Sequence, residues 1–186
     1  LLLGNQFAPK GYAYLIILNG YGTLATAFKK NKTKNIENIQ NCLKYFQSIG
    51  IDIDSGKDFG SRGSFSLPFG KFKLPFLIGE SGGYQDYLFG FGMRMSMISG
   101  LAAALSIACK KKEALALLSD LNKKRRVSFI NRLFYERLNN YQLASFANKI
   151  ANVDNPLAVL SSAYKWDIKN LVRWKKINKN YEIRPT

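Results

Sequence analysis

At 186 residues, with 47% hydrophobic side chains and a mean hydropathy of −0.14, the chain is long enough for one or two small cores and lacks the polar excess of a disordered segment. It has no histidine and two cysteines. That excludes Ser-His-Asp and Cys-His catalysis, the His-based zinc protease motif and a four-cysteine zinc site. The net charge of +16 is concentrated late: residues 91–186 hold eighteen Lys and Arg against six Asp and Glu.

The chain opens on Leu1-Leu2-Leu3, too short and without the basic flank of a signal peptide, and the start is read as a truncation with polypeptide missing upstream. Residues 11–18 and 23–28 read as two strands around Asn19-Gly20-Tyr21-Gly22, since Asn-Gly accepts the positive φ angles of a tight hairpin turn. Residues 35–49 carry Ile36, Ile39, Leu43 and Phe46 at helical spacing and end at Gly50, which predicts one amphipathic helix. Gly60-Ser61-Arg62-Gly63 reads as a loop and residues 64–67 as a short strand. Residues 73–80 have a short apolar core ending in Gly79-Glu80, which suits a buried strand delivering a carboxylate to a crevice.

A glycine-rich, aromatic stretch follows, and Gly92 opens a helix running to about Ala108. The apolar run 95–109 contains Ser96, Ser99 and Ser106 between Arg94 and Lys110, and is shorter than the roughly 20 residues of a membrane span. It is expected to be a buried helix. Further helices are predicted at about 112–122, 127–139, 141–151 and 156–177, with Pro156 in a first helical turn.

Among these helices Lys110-Lys111-Lys112, Lys123-Lys124-Arg125-Arg126 and Lys175-Lys176 interleave with Phe129, Phe134, Tyr135, Trp166 and Trp174. Such a pattern fits a solvated helix face, an anionic lipid surface or a nucleic acid, and charge alone does not choose among them. Cys42 and Cys109 are expected to be reduced in a cytoplasmic setting, a disulfide between them being the other option.

The chemistry is concentrated in residues 79–94. A carboxylate at Glu80 can accept hydrogen bonds from sugar or ribitol hydroxyls, and Gly90 and Gly92 allow backbone to approach a ligand closely. The helix after Gly92 directs free N–H groups and a positive dipole end toward the same place, which stabilises negative charge. A reduced flavin carries such charge near N1 and the C2 carbonyl. A plain glycine turn between core elements accounts for the same residues, and glycine spacing alone does not separate the two. Arg94 could pair with Asp86 or Glu80 or lie on an exposed helix face.

The run Gly79-Glu80, Gly90-Phe91-Gly92, Ser99-Gly100-Leu101-Ala102-Ala103 resembles the second flavin-binding motif of the geranylgeranyl reductase family, within the larger flavoprotein group that includes aromatic hydroxylases. Pro9-Lys10-Gly11-Tyr12-Ala13-Tyr14 with Gly20-Tyr21-Gly22 is similar to that family's aromatic-rich substrate-side strand, and the two matches span roughly residues 7–108. The departures are Glu80 where the group usually has Asp, Tyr14 where Trp is common, and Tyr87 near a position often held by Pro. The Gly-x-Gly-x-x-Gly fingerprint for the adenine dinucleotide is absent from the sequence.

The resemblance implies an α/β (α+β) fold: the C-terminal part of a two-domain FAD flavoprotein, with a mixed sheet completed by upstream strands and a helical end. Residues 1–75 would supply substrate-side strands and a helix, 76–109 the flavin-contacting unit and 110–186 a helical region. FAD is the implied cofactor, with NAD(P)H as electron donor. Glu80, Gly90, Phe91, Gly92 and Met93 would contact FAD, while Tyr12 and Tyr14 would line the substrate side. No catalytic residue and no metal ligand is assigned.

The implied reaction is hydride transfer to a carbon-carbon double bond of an isoprenoid or similar apolar substrate, and the segment alone is expected to be inactive. A flavin monooxygenase of the same fold is the alternative enzyme. A basic, non-enzymatic module for nucleic acid or anionic lipid is the alternative class. The expected setting is cytoplasmic with peripheral contact to an anionic membrane and no nucleic acid partner.

Overall fold

A computed structural model of the chain describes residues 1–28, 35–53, 56–61, 72–88, 90 and 92–180. It is mixed α+β, with an antiparallel pair of strands and six α-helices among those residues. The chain divides into two compact units. One comprises Leu1–Ser61 with Tyr135–Pro156, the other Arg62–Phe134 with Leu157–Thr186.

In the first unit, strands β1 (Tyr12–Leu18) and β2 (Tyr21–Ala27) form the hairpin expected from Asn19-Gly20. Both turn residues have positive φ, 51° and 79°, as a turn matching the strand twist demands. Helix α1 (Asn35–Ser48) ends before Gly50, whose φ of 81° closes the helix where a side chain would be strained. Cys42 and Phe46 of α1 pack on Leu2 and Ala13, with Phe7, Leu15, Leu24, Ile51 and Ile53 around them. Helix α4 (Asn140–Ala151) starts in a reciprocal capping box between Asn139 and Gln142. It is tied to the N-terminal loop by the Asn5 N–H, which donates to Asn140 Oδ1 at 2.9 Å.

Cys42 is fully buried, and burial pushes its thiol up from 9.0 to about 11. Below pH 9 the thiol is protonated in folded and unfolded chains alike, so its contribution to stability is complete. Between pH 9 and about 11 the unfolded chain releases the proton first, and stability falls by up to about 1.4 kcal/mol per pH unit. Cys42→Ala is expected to remove that part of the slope. Urea midpoints of parent and variant at pH 8 and pH 11 check it, and parallel slopes would contradict it.

The second unit holds helices α2 (Met93–Ile107), α3 (Lys111–Tyr135), α5 (Pro156–Ser162) and α6 (Ile168–Asn180); Ala102 of α2, Ala114, Leu118 and Leu121 of α3 and Tyr84 form its core cluster, and Trp174 of α6 meets Phe129 of α3 edge-on. Two boundaries differ from the sequence expectation. The helices predicted at 112–122 and 127–139 are one element, because Lys123-Lys124-Arg125-Arg126 contains no breaker and lysine and arginine are good helix formers. The helix predicted at 156–177 is two. Asp167 starts the second by accepting the Asn170 N–H at 2.7 Å, a side-chain cap that the apolar periodicity does not register.

The buried strand expected at 73–80 is not formed. Residues 72–78 run without strand pairing among the described residues, Leu77 and Ile78 are about half exposed, and Gly79–Gly82 closes into a 3₁₀ turn. Ile78 does have extended dihedrals, φ −116° and ψ 162°. An apolar run favours extended backbone, but a strand also needs a paired neighbour, and Pro75 offers no N–H for one. The strand expected at 64–67 lies outside the described residues.

No described helix is long and apolar enough to cross a membrane. Cys42 and Cys109 are free thiols, the first buried and the second exposed.

Candidate functional site

The site grows from the 3₁₀ turn. Gly79 has φ 57°, and a Cβ there would lie 2.9 Å from Ser96 Oγ, so glycine is required both for backbone conformation and for close approach of α2. The Gly79 N–H donates to the buried Ser99 hydroxyl at 2.9 Å, and that hydroxyl donates to the Ser96 carbonyl at 2.8 Å. The Ser99-Gly100 step on α2 thus fixes where the turn begins, and Glu80 follows with its side chain exposed.

The loop beyond the turn is held from the other side by α3. Ala114, Leu118, Leu121, Arg125, Ser128, Arg132 and Tyr135 recur in alternating steps of four and three and are all buried. The first three are apolar and pack in the core. Arg125 lies with its guanidinium carbon 4.8 Å from the Tyr84 ring centroid and donates from Nη1 to the Gly82 carbonyl at 3.1 Å. Ser128 Oγ accepts the Tyr87 N–H at 3.1 Å, and Arg132 Nη1 donates to the Leu88 carbonyl at 3.2 Å. One helical stripe therefore changes from apolar packing to satisfying the backbone of the loop it supports.

Within the loop, the Tyr87 hydroxyl donates to the Gly83 carbonyl at 3.0 Å, and burial pushes that phenol up to about 12. Asp86 accepts the Leu88 N–H at 2.9 Å through one oxygen and the Tyr164 hydroxyl at 2.8 Å through the other. Burial, then the neighbouring Asp86 charge, raises the Tyr164 phenol well above its ordinary value, so it remains a proton donor to the carboxylate.

Between this loop and α2 lies a cleft of about 470 Å³ lined by Glu80, Tyr84, Gln85, Gly90, Gly92, Met93, Ser96 and Met97. That volume is within the usual range for small-molecule sites. Gly92 is the N-cap of α2 and offers no capping side chain, so the N–H groups of the first turn lack intrahelical acceptors. Met93 and Met97 are exposed and give the cleft a flexible apolar wall.

Glu80, Gly90, Gly92 and Met93 are thus brought together in this cleft. Phe91 lies outside the described residues. Tyr12 and Tyr14 belong to the other unit, on one face of β1, with ring centroids 6.1 Å apart and an angle of 26° between rings; Tyr12 is buried and Tyr14 half-buried. Arg94 is exposed. Tyr84, Gln85, Ser96 and Met97 line the cleft but were given no site role from the sequence; nor were the supports Ser128 and Arg132, Ser99, which entered only as part of the resembling motif, or Arg125, which entered only in a basic run. The alternating four-three step along α3, continued through its polar members, is the signal that marks Arg125, Ser128 and Arg132.

The arginines of the basic C-terminal run are not a uniform solvated face. Arg125 and Arg132 are buried, and Arg126 lies 5.5 Å from the Trp174 ring centroid and 6.0 Å from that of Trp166. Among the described residues no group of three or more His, Cys, Asp or Glu is placed to hold a metal ion. Comparison with protein-family models, curated proteins and solved structures finds no match to the chain.

Proposed function

We propose that this chain is the substrate-side and flavin-contacting part of an FAD-dependent oxidoreductase similar to the geranylgeranyl reductase family, one that reduces a carbon-carbon double bond in an isoprenoid or similar apolar substrate. The observation that carries the reading is the uncapped N-terminus of α2 opening on a cleft of about 470 Å³ that Glu80 and two glycines also line. The residues present fit the group. Helix-end amides suit an electron-rich ring edge, Glu80 suits ribitol hydroxyls, and a Cβ added at Gly92 would approach no closer than 3.5 Å to Gln85, which leaves backbone open to contact.

FAD held there would supply two-electron chemistry, a hydride from NAD(P)H reaching one carbon of the double bond while the other takes a proton from solvent. The chain's own part is to hold and polarise. The first-turn amides of α2 favour negative charge at the facing edge, which raises the reduction potential there. Glu80 would hold the polyol by accepting hydrogen bonds from its hydroxyls, and Met93 and Met97 would offer an apolar surface that excludes water. The lysine-rich C-terminal region suits a substrate residing in an anionic membrane.

The test is the visible spectrum of the purified protein. A flavin band bleached by a nicotinamide donor is expected, with FAD affinity reduced about tenfold or more in Glu80→Ala. Absence of the band even after reconstitution with added FAD would sink the proposal, and salt-sensitive binding to nucleic acid without a chromophore would support the basic-module alternative.

A further inference from the structure

Helix α6 is anchored by one face and bare on the other. Trp174 is buried and meets Phe129 of α3 edge-on, with ring centroids 6.3 Å apart, and the Arg173 guanidinium lies 4.8 Å from the Phe134 ring centroid. Those contacts fix which face turns inward. At about 100° per residue, Ile168, Val172, Lys175, Lys176 and Lys179 then share the opposite face. All five are exposed, Ile168 by 81% and Val172 by 61%, and exposed Lys169 flanks them.

The charge on that face is unbalanced. Helix α6 contains no Asp or Glu, and the side chains of Lys169, Lys175, Lys176 and Lys179 make no ion pair or hydrogen bond among the described residues. Asp167, just before the helix, is taken up in capping the Asn170 N–H. Lys179 suits the negative end of the helix dipole, but Lys169 in the first turn is opposed by the positive end, and Lys175 and Lys176 repel Lys179 across one helical turn. Helix stability does not account for the set. Unmatched cations beside bare aliphatic side chains complement a surface that is anionic outside and hydrocarbon beneath.

We propose that the exposed face of α6 docks on an anionic lipid leaflet, with the helix lying flat. From Ile168 to Lys179 the face runs about 16 Å along the helix axis, and in this pose every ammonium stays within a Debye length, about 8–10 Å, of the headgroup phosphates. The lysine stems lie along the boundary with their ammonium groups reaching the phosphates, while Ile168 and Val172 enter among the acyl chains. A nucleic acid is the poorer fit: base stacking needs exposed aromatic rings, and the indole of α6, on Trp174, is turned inward. Charge and exposure carry this surface with or without a flavin in the cleft.

Flotation of the purified chain with vesicles, no flavin added, tests it. Binding is expected to phosphatidylcholine vesicles containing about one-third phosphatidylglycerol, and none to phosphatidylcholine alone. Lys175→Ala/Lys176→Ala/Lys179→Ala should weaken binding on the order of a hundredfold, about fivefold per lysine. Lys110→Ala/Lys111→Ala/Lys112→Ala removes the same charge at the head of α3 and should weaken it by less than about fivefold. Ile168→Ser/Val172→Ser should weaken it about tenfold even at high salt, where the lysine contribution is screened. The replaced residues are exposed, so each variant is expected to keep the parent's far-ultraviolet dichroism. Failure to bind anionic vesicles overturns the proposal. Equal losses from the two triple variants also overturn it, because total charge rather than this face is then responsible. So does indifference to the aliphatic pair, and tighter binding to a single-stranded oligonucleotide in that case assigns the face to nucleic acid.

Discussion

Replacing Arg125 by alanine is expected to lower the stability of the second unit by about 3 kcal/mol, read as a shift of the urea midpoint at unchanged slope. The side chain is only 5% exposed and does two things at once. Its guanidinium satisfies the buried Gly82 carbonyl at 3.1 Å and stacks over Tyr84, itself a member of the core cluster. Truncation leaves the carbonyl without its donor and opens space beside an aromatic ring, so an unsatisfied polar group and a cavity are created together. Arg125→Met refills most of the volume and is expected to recover roughly half of the loss, separating packing from hydrogen bonding. A change below about 0.5 kcal/mol in the alanine variant would show that the guanidinium turns out to solvent, as surface substitutions do.

The second large effect is expected at Gly79. Valine there must adopt φ 57°, a region that costs an L residue about 1–2 kcal/mol, and its Cβ would stand 2.9 Å from Ser96 Oγ. The combined loss is expected to be about 2–3 kcal/mol. Because Gly79 sets the position of Glu80 and Ser96 lines the cleft, the proposed function further requires FAD affinity to fall with it. Gly100→Ala provides the contrast. It sits within α2, where its added Cβ meets only Ile78 Cδ1 at 3.8 Å, and alanine is the better helix former, so that variant should be as stable as the parent or more so. Equal stability of the Gly79 and Gly100 variants would mean that the turn relaxes without cost.

The parts of the fold legible in the sequence are those written in neighbouring residues. Asn19-Gly20 specifies the hairpin turn, the spacing Ile36, Ile39, Leu43, Phe46 specifies α1, and Gly92 marks the start of α2. What escaped depends on residues far apart. On the line of α3 that starts at Ala114, beside the buried Val127 and Ile130, the apolar run ends at Leu121, although burial on that line continues through Arg125, Ser128 and Arg132. Those side chains are buried because the loop at 82–88 offers backbone groups to them, and that information lies some forty residues upstream. Residues 73–80 erred in the opposite sense, since apolar content favours extended chain but does not supply a strand to pair with. At the site, Glu80 and the glycines could be read from chemistry alone, while Ser99 as the anchor of Gly79 required the contact between turn and helix.

The placement of the tryptophans bears on how unfolding of this chain can be watched. The sequence contains two, Trp166 and Trp174, and the guanidinium of Arg126 lies within about 6 Å of both ring centroids. Both belong to the second unit, while the first unit contributes only tyrosine and phenylalanine to the ultraviolet spectrum. Indole emission is therefore a private signal of the helical unit around the cleft, whereas far-ultraviolet dichroism sums over both. Superimposable melting curves in the two channels would mean that the units unfold as one cooperative system, and separated curves would give the stability of each without cutting the chain.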